Sequence, residues 1–156
     1  MVRILQLSGH HNKNSFDCGN PTLNAWLANM ASQHRKKGIS TTYVATESES
    51  STTIFGYYSI SVAELRATEA PPDRKRKLPD KVPVFRLGRL AVGKSHQGTG
   101  LGRLLLANAV SRLTRLASEV GGIGIVVDAK PESVDFYLGY GFEQMADHPL
   151  NLFLPF

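Results

Sequence analysis

Three glycines at alternate positions, Gly98, Gly100 and Gly102, interrupt a chain that is apolar and strand-like up to Val92 and helix-like from Leu101. Between Val92 and Leu106 it reads Val-Gly-Lys-Ser-His-Gln-Gly-Thr-Gly-Leu-Gly-Arg-Leu-Leu-Leu. Glycine tolerates backbone angles closed to other residues, so successive N–H groups can turn toward one point. The helix behind them adds unsatisfied donors and the positive end of its dipole. The natural guest of such a cradle is a phosphate group. Strand, loop, helix and a second apolar run at residues 123–128 also impose a crossover, which places those two strands parallel.

As a bare pattern, Gly88-Arg89-Leu90-Ala91-Val92-Gly93-Lys94-Ser95 also satisfies the G-x-x-x-x-G-K-[ST] rule of nucleoside triphosphatases, with Asp128 as the magnesium ligand of the next strand. The physics opposes that reading. The middle of the motif must be a loop, whereas Arg-Leu-Ala-Val is the alternating body of a strand. Its helix should start at Lys94-Ser95, yet residues 96–100 intervene. Too few residues follow for the further parallel units such a core needs.

The length of 156 residues suits one domain spanning 1–156. Eighteen Lys and Arg against 13 Asp and Glu give a formal charge of +5, which favours anionic partners without choosing among them. A single cysteine, Cys18, excludes an internal disulfide, and no Cys/His spacing suggests a zinc site, so no metal is expected. No secretory leader and no membrane-spanning apolar run is apparent, so the expected location is the cytoplasm.

Local patterns predict the other elements. Asn20 caps and Pro21 opens a helix reaching to about residue 37, with Leu23, Trp26, Leu27 and Met30 on its buried face and cations at its end. Residues 41–46 and 53–61 predict two antiparallel strands. Residues 66–83, with Arg74, Lys75, Arg76 and Lys77, predict an exposed connection that is either a solvated loop or a polyanion contact. A strand over 83–92, a helix from 101 with apolar positions 101, 105, 109, 113 and 116, a short helix over 132–138 ending at Gly139, and short strands at 142–145 and 150–154 complete the chain.

The Gln97-Gly98-Thr99-Gly100-Leu101-Gly102 stretch following Leu87-Gly88-Arg89-Leu90-Ala91-Val92 resembles the acyl-CoA pyrophosphate loop of the GNAT N-acetyltransferase family. The likeness extends through Phe16-Asp17-Cys18-Gly19, Leu23-Asn24-Ala25-Trp26-Leu27, Tyr43-Val44, Gly56-Tyr57-Tyr58-Ser59, Phe136-Tyr137 and Gly141-Phe142. It covers nearly the whole chain and is similar to the acetyltransferase toxins of bacterial type II toxin-antitoxin operons. The implied fold is α/β (α+β), a mixed, mostly antiparallel sheet flanked by helices.

The resemblance implies acetyl-CoA as cosubstrate, held by Gln97, Gly98, Thr99, Gly100, Leu101 and Gly102 through the loop amides and by backbone groups of Leu90, Ala91 and Val92 along the pantetheine arm. It implies Tyr137 as general acid toward the leaving thiolate, with Phe136 and Phe142 flanking it in the core. Ser133 either touches the cofactor or caps its helix. Neither Glu64 nor His96 makes a convincing general base. An α-amine, with a pKa of about 7.7–8.0, is partly neutral at cell pH and can pass its proton to water.

The toxins resembled acetylate the α-amine of aminoacyl-tRNA and so block translation. Lys36, Lys37, Arg74, Lys75, Arg76, Lys77, Arg86 and Arg89 are the candidate tRNA phosphate contacts, Arg89 foremost. The resemblance also implies a ribbon-helix-helix antitoxin, operator DNA bound through that antitoxin, and a homodimer. Two other functions stay open: acetylation of a small amine or protein N-terminus, and a catalytically silent CoA-binding or interaction module.

Overall fold

The computed structural model describes residues 2–71, 78–146 and 148–156. Its elements run β1 (Arg3–Gln6), α1 (Pro21–Asn29), α2 (Ala31–Lys36), β2 (Thr41–Thr46), β3 (Gly56–Arg66), β4 (Lys81–Val92), α3 (Leu101–Val120), β5 (Gly124–Asp128), α4 (Val134–Tyr140), β6 (Glu143–Met145) and β7 (His148–Pro155). The seven strands form one sheet in the order β1-β2-β3-β4-β5-β7-β6. The pair joined through the glycine loop and α3, β4 with β5, is parallel. The ladders β1–β2, β2–β3, β5–β7 and β6–β7 are antiparallel. The expected α/β architecture is present.

Two compact units share this chain: Met1–Ser61 with Gly88–Ala109, and Val62–Leu87 with Val110–Phe156. In the first, Phe16, Trp26, Leu27, Ala31, Val44, Ile54, Tyr57 and Ala91 form a buried cluster. Asn20 accepts from the N–H groups of Thr22 and Leu23, and Pro21 opens α1, as its sequence signature requires. The helix does not run unbroken to residue 37. Met30 departs from helical geometry (φ −116°), so α2 starts afresh at Ala31, and Met30 is exposed while Ala31 takes the buried position. His34, Arg35 and Lys36 occupy the last turn of α2, where cations favour the helix dipole.

In the second unit Leu65, Ala70, Val82, Val84, Val126, Met145 and Phe153 form the buried cluster. The expected exposed connection after residue 66 is therefore partly core, through Ala70; residues 74–77 lie outside the described residues. Residues 131–133 make a 3-10 turn leading into α4, which ends at Gly141 rather than Gly139 because the positive φ falls at Gly141. β1 carried too few residues to be read as a strand, and its main chain pairs with β2 from Arg3–Thr46 to Gln6–Tyr43. Along α3, Leu101, Leu105, Ala109 and Leu113 are buried at the predicted period.

Candidate active site

Residues Gly88 to Val92 are strand, so the middle of the triphosphatase-like pattern is not a loop. β4 pairs with β5 at Phe85–Ile125 and Arg86–Val126 and then runs on for six residues, to Val92. A strand that outruns its neighbour leaves main-chain donors and acceptors for an extended ligand. Leu90, Ala91 and Val92 lie in this overhang, Ala91 buried and its neighbours half-buried.

Past β4, the Gly93 N–H donates to Phe55 O (2.8 Å) and the Lys94 N–H to Asp17 O (2.9 Å), and Lys94–His96 forms one 3-10 turn. The Gln97 side-chain amide donates to Val92 O and to Cys18 O, both at 2.9 Å, tying the loop to the strand it leaves and to the segment before α1. Gly98 and Gly100 adopt φ of +76° and +89°, with nothing within 4 Å of an added Cβ at either. Backbone conformation, not crowding, demands glycine there. Thr99 Oγ1 donates to His96 O.

The Leu104 N–H reaches Gly100 O (3.1 Å), so helical geometry leaves the N–H groups of Leu101, Gly102 and Arg103 without intrahelical acceptors. Residues 97–100 are exposed. The segment from Gly93 to Leu104 contains no carboxylate. Exposed left-handed glycines, a helix start and a segment with no carboxylate of its own fit the diphosphate of an acyl-CoA.

Tyr137 belongs to the second unit. It is buried on α4, with Phe136 and Phe142 edge-on at ring-centroid distances of 5.1 and 5.4 Å. Its carbonyl accepts from the Phe142 N–H (3.1 Å). Burial pushes its phenol up to about 12, so the proton stays on the oxygen across the physiological range. Phe142 is core as expected, whereas Phe136 is partly exposed because its position on the short helix turns it outward. Ser133 stands at the start of α4 without a capping hydrogen bond.

Of the candidate tRNA contacts, Lys36 and Lys37 are exposed at the end of α2. Arg86 pairs with Asp128 (3.0 Å). Arg89 is half-buried with its guanidinium 4.1 Å above the centre of the Trp26 ring, while Tyr57 stacks on that indole (6.0 Å) and donates its hydroxyl proton to Leu23 O (2.8 Å). Burial lowers the Arg89 pKa and raises that of Tyr57. Arg74, Lys75, Arg76 and Lys77 lie outside the described residues. Glu64 is exposed on β3, and His96 stacks on Phe55 with ring centres 4.0 Å apart.

The loop's fastening went unseen in the sequence. The Asp17 carboxylate accepts from the Gly19 N–H and Asn24 Nδ2 (2.9 Å each) and faces Lys94 Nζ at 3.4 Å; the Gly19 hydrogen bond, then Asn24, holds its pKa below the usual range. The Asp-Cys-Gly-Asn order is the available signal, a turn in which an aspartate accepts from the residue two positions on.

The exposed glycine loop at the start of α3 and the β4 overhang fit a protein that takes an acyl-CoA. Residues 22–151 match the family model described as an acetyltransferase (GNAT) domain, and the chain belongs to that family. It is 34% identical over 141 residues to a tRNA-acetylating toxin of Mycobacterium tuberculosis, covering 90% of this chain and 83% of that protein.

Two solved relatives share the fold at a TM-score of 0.92 each. A tyrosine-to-phenylalanine mutant of KacT is 28% identical, covering 99% of this chain and 94% of that one. AtaT complexed with acetyl-methionyl-tRNAfMet is 26% identical, covering 99% and 95%. A tyrosine-to-phenylalanine mutant of AtaT has been solved with the C-terminus of the antitoxin AtaR, alone and together with acetyl-CoA, and KacTA with DNA.

Proposed function

We propose that this GNAT enzyme is an acetyl-CoA-dependent N-acetyltransferase toxin, contained in one domain over residues 1–156, that acetylates the α-amine of aminoacyl-tRNA and thereby blocks translation. The observation that carries the cofactor half is the exposed loop with left-handed Gly98 and Gly100 held by the Gln97 side chain. The substrate half rests on the tRNA-acetylating relative and on AtaT bound to an acetylated aminoacyl-tRNA.

Acetyl-CoA, when bound, supplies the acetyl group as a thioester. The residues that would hold it are Gln97 to Gly102 at the diphosphate, the Leu90, Ala91 and Val92 main chain along the pantetheine arm, and Ser133. On this reading a main-chain N–H among Leu90, Ala91 and Val92 would donate to the thioester carbonyl oxygen as it gains charge. Tyr137 Oη carries the proton that a departing sulfur requires, and its elevated pKa keeps that proton available. No base is needed for an amine already partly neutral near pH 7.7–8.0, about the α-amine value.

The same reading assigns Lys36, Lys37, Arg86, Arg89 and the 74–77 run to phosphate contacts on the tRNA. It assigns a ribbon-helix-helix antitoxin as partner, operator DNA bound through it, and a homodimer; the AtaT–AtaR and KacTA–DNA structures support the antitoxin and DNA parts. Among the described residues no helix is long and apolar enough to cross a membrane. Charged tRNA as substrate places the work in the cytoplasm.

The test is incubation with acetyl-CoA and total charged tRNA, followed by mass detection of N-acetylated aminoacyl ends. Tyr137→Phe is expected to lose roughly 10²- to 10⁴-fold in rate while keeping cofactor affinity. Parental rates in Tyr137→Phe refute the acid assignment. Labelling of free polyamines or peptides with charged tRNA untouched returns the general amine acetyltransferase.

A further inference from the structure

The glycine loop is held from outside by carbonyls of other segments. The Lys94 N–H donates to Asp17 O (2.9 Å) and the Gln97 side-chain amide to Cys18 O (2.9 Å), while the Gly93 N–H takes Phe55 O (2.8 Å). Asp17 and Cys18 lie in a short irregular strap between the buried Phe16 and the start of α1. A strap outside helix and sheet has no ladder to fix where its carbonyls point.

Asn24 supplies what a ladder would. It stands half-buried in the first turn of α1, where its own N–H closes on Asn20 O (3.0 Å). Its side chain reaches the strap with both ends: Oδ1 accepts from the Cys18 N–H and Nδ2 donates to Asp17 Oδ1, each at 2.9 Å. The same carboxylate oxygen accepts from the Gly19 N–H, and Gly19 turns at φ +89° with Lys94 Cε 3.4 Å from an added Cβ. One side chain therefore fixes the two residues whose carbonyls hold the loop. Among the described residues, none of its hydrogen bonds reaches residues 92–102 directly.

We infer, resting on the assignment of the acetyl-CoA diphosphate to this loop, that Asn24 is a positioning residue for the cofactor, acting through the Asp17–Cys18 strap rather than by contact. An exposed loop that is already ordered binds more tightly than one its ligand must order, because the ordering cost has been met in the free protein. Side chains that hold a binding group in place from behind act on affinity in this way.

Acetyl-CoA binding to the full chain is measured by isothermal titration, acetyl transfer to charged tRNA is followed across acetyl-CoA concentrations, and exchange of the Lys94 amide hydrogen is read by NMR. Asn24→Leu keeps volume and helix propensity and removes both side-chain hydrogen bonds. Asn24→Asp keeps the acceptor for the Cys18 N–H and sets a second carboxylate against Asp17, so it carries the test where Asn24→Leu fails to fold. Each is expected to weaken acetyl-CoA and raise its KM about 10-fold, with kcat at saturating acetyl-CoA within about 2-fold of the parent. The Lys94 amide, shielded by Asp17 O, should exchange about 10-fold faster in both variants, and bound acetyl-CoA should slow it again.

In a Gln97→Leu background, Asn24→Leu should weaken acetyl-CoA by less than it does in the parent, since one carbonyl it positions has lost its partner. Parental affinity and KM in both variants overturn the inference, and so does a fall in kcat with KM unchanged. A double-variant loss equal to the product of the single losses does the same. A lower melting temperature with acetyl-CoA affinity intact makes Asn24 a packing residue only, which also overturns it. A wild-type chain that binds no acetyl-CoA refutes the cofactor assignment itself, and the positioning role falls with it.

Discussion

Replacing Gly100 by alanine separates the conformational demand of the loop from its packing. At φ +89° an L side chain lies in the left-handed region, and no atom within 4 Å would resist the new methyl. The cost is then backbone strain alone, about 1–2 kcal/mol. Residues 97–100 are exposed, so the loop can relieve the strain by leaving its cradle conformation locally without unfolding the sheet. A ligand that needs the cradle must reimpose it, and about 1–2 kcal/mol corresponds to roughly 5- to 30-fold weaker acetyl-CoA binding. Isothermal titration with acetyl-CoA should report that loss while the melting temperature barely moves.

Gly100→Asn, tolerated better in this region, should lose less. Gly56→Ala provides the opposite signature, because its Cβ would stand 2.9 Å from both Ala91 O and Leu105 Cδ1. That overpacking, about 1–3 kcal/mol, should appear in the melting temperature. Parental acetyl-CoA affinity in Gly100→Ala would refute the cradle argument.

Three further outcomes follow from other contacts. The transfer rate should rise with pH through the substrate amine, about 7.7–8.0, and stay level to at least pH 10, since burial pushes Tyr137 up to about 12; a pH–rate profile falling below pH 9 would contradict this. The raised Tyr137 pKa contributes stability fully present below the ordinary tyrosine value of about 10 and lost as pH climbs toward 12, so Tyr137→Phe should flatten alkaline destabilisation over that window in urea titrations. Arg89→Gln should cost about 0.5–2 kcal/mol of stability by removing the charge over Trp26, read by chemical denaturation.

Elements with strong local chemistry were legible before any coordinates. Asn20-Pro21 starts α1 where the cap pattern placed it, β2 spans the predicted 41–46, and the period of α3 is the period of its buried residues. The break at Met30 was not legible, because Leu23, Trp26, Leu27 and Met30 satisfy a helical stripe whether or not the helix bends. β1 escaped for a related reason, since four residues carry no reliable alternation and its identity comes from the β2 edge it pairs with.

The conformation of the 97–102 loop was already written into the chain, because left-handed glycines and a helix start are local properties that nearby residues dictate. The packing of Arg89 on Trp26, the bracing of the loop by Gln97 and Asp17 and the protonated state of Tyr137 belong to the tertiary structure alone. Each depends on burial or on a partner distant in sequence, and neither quantity exists until the chain has folded.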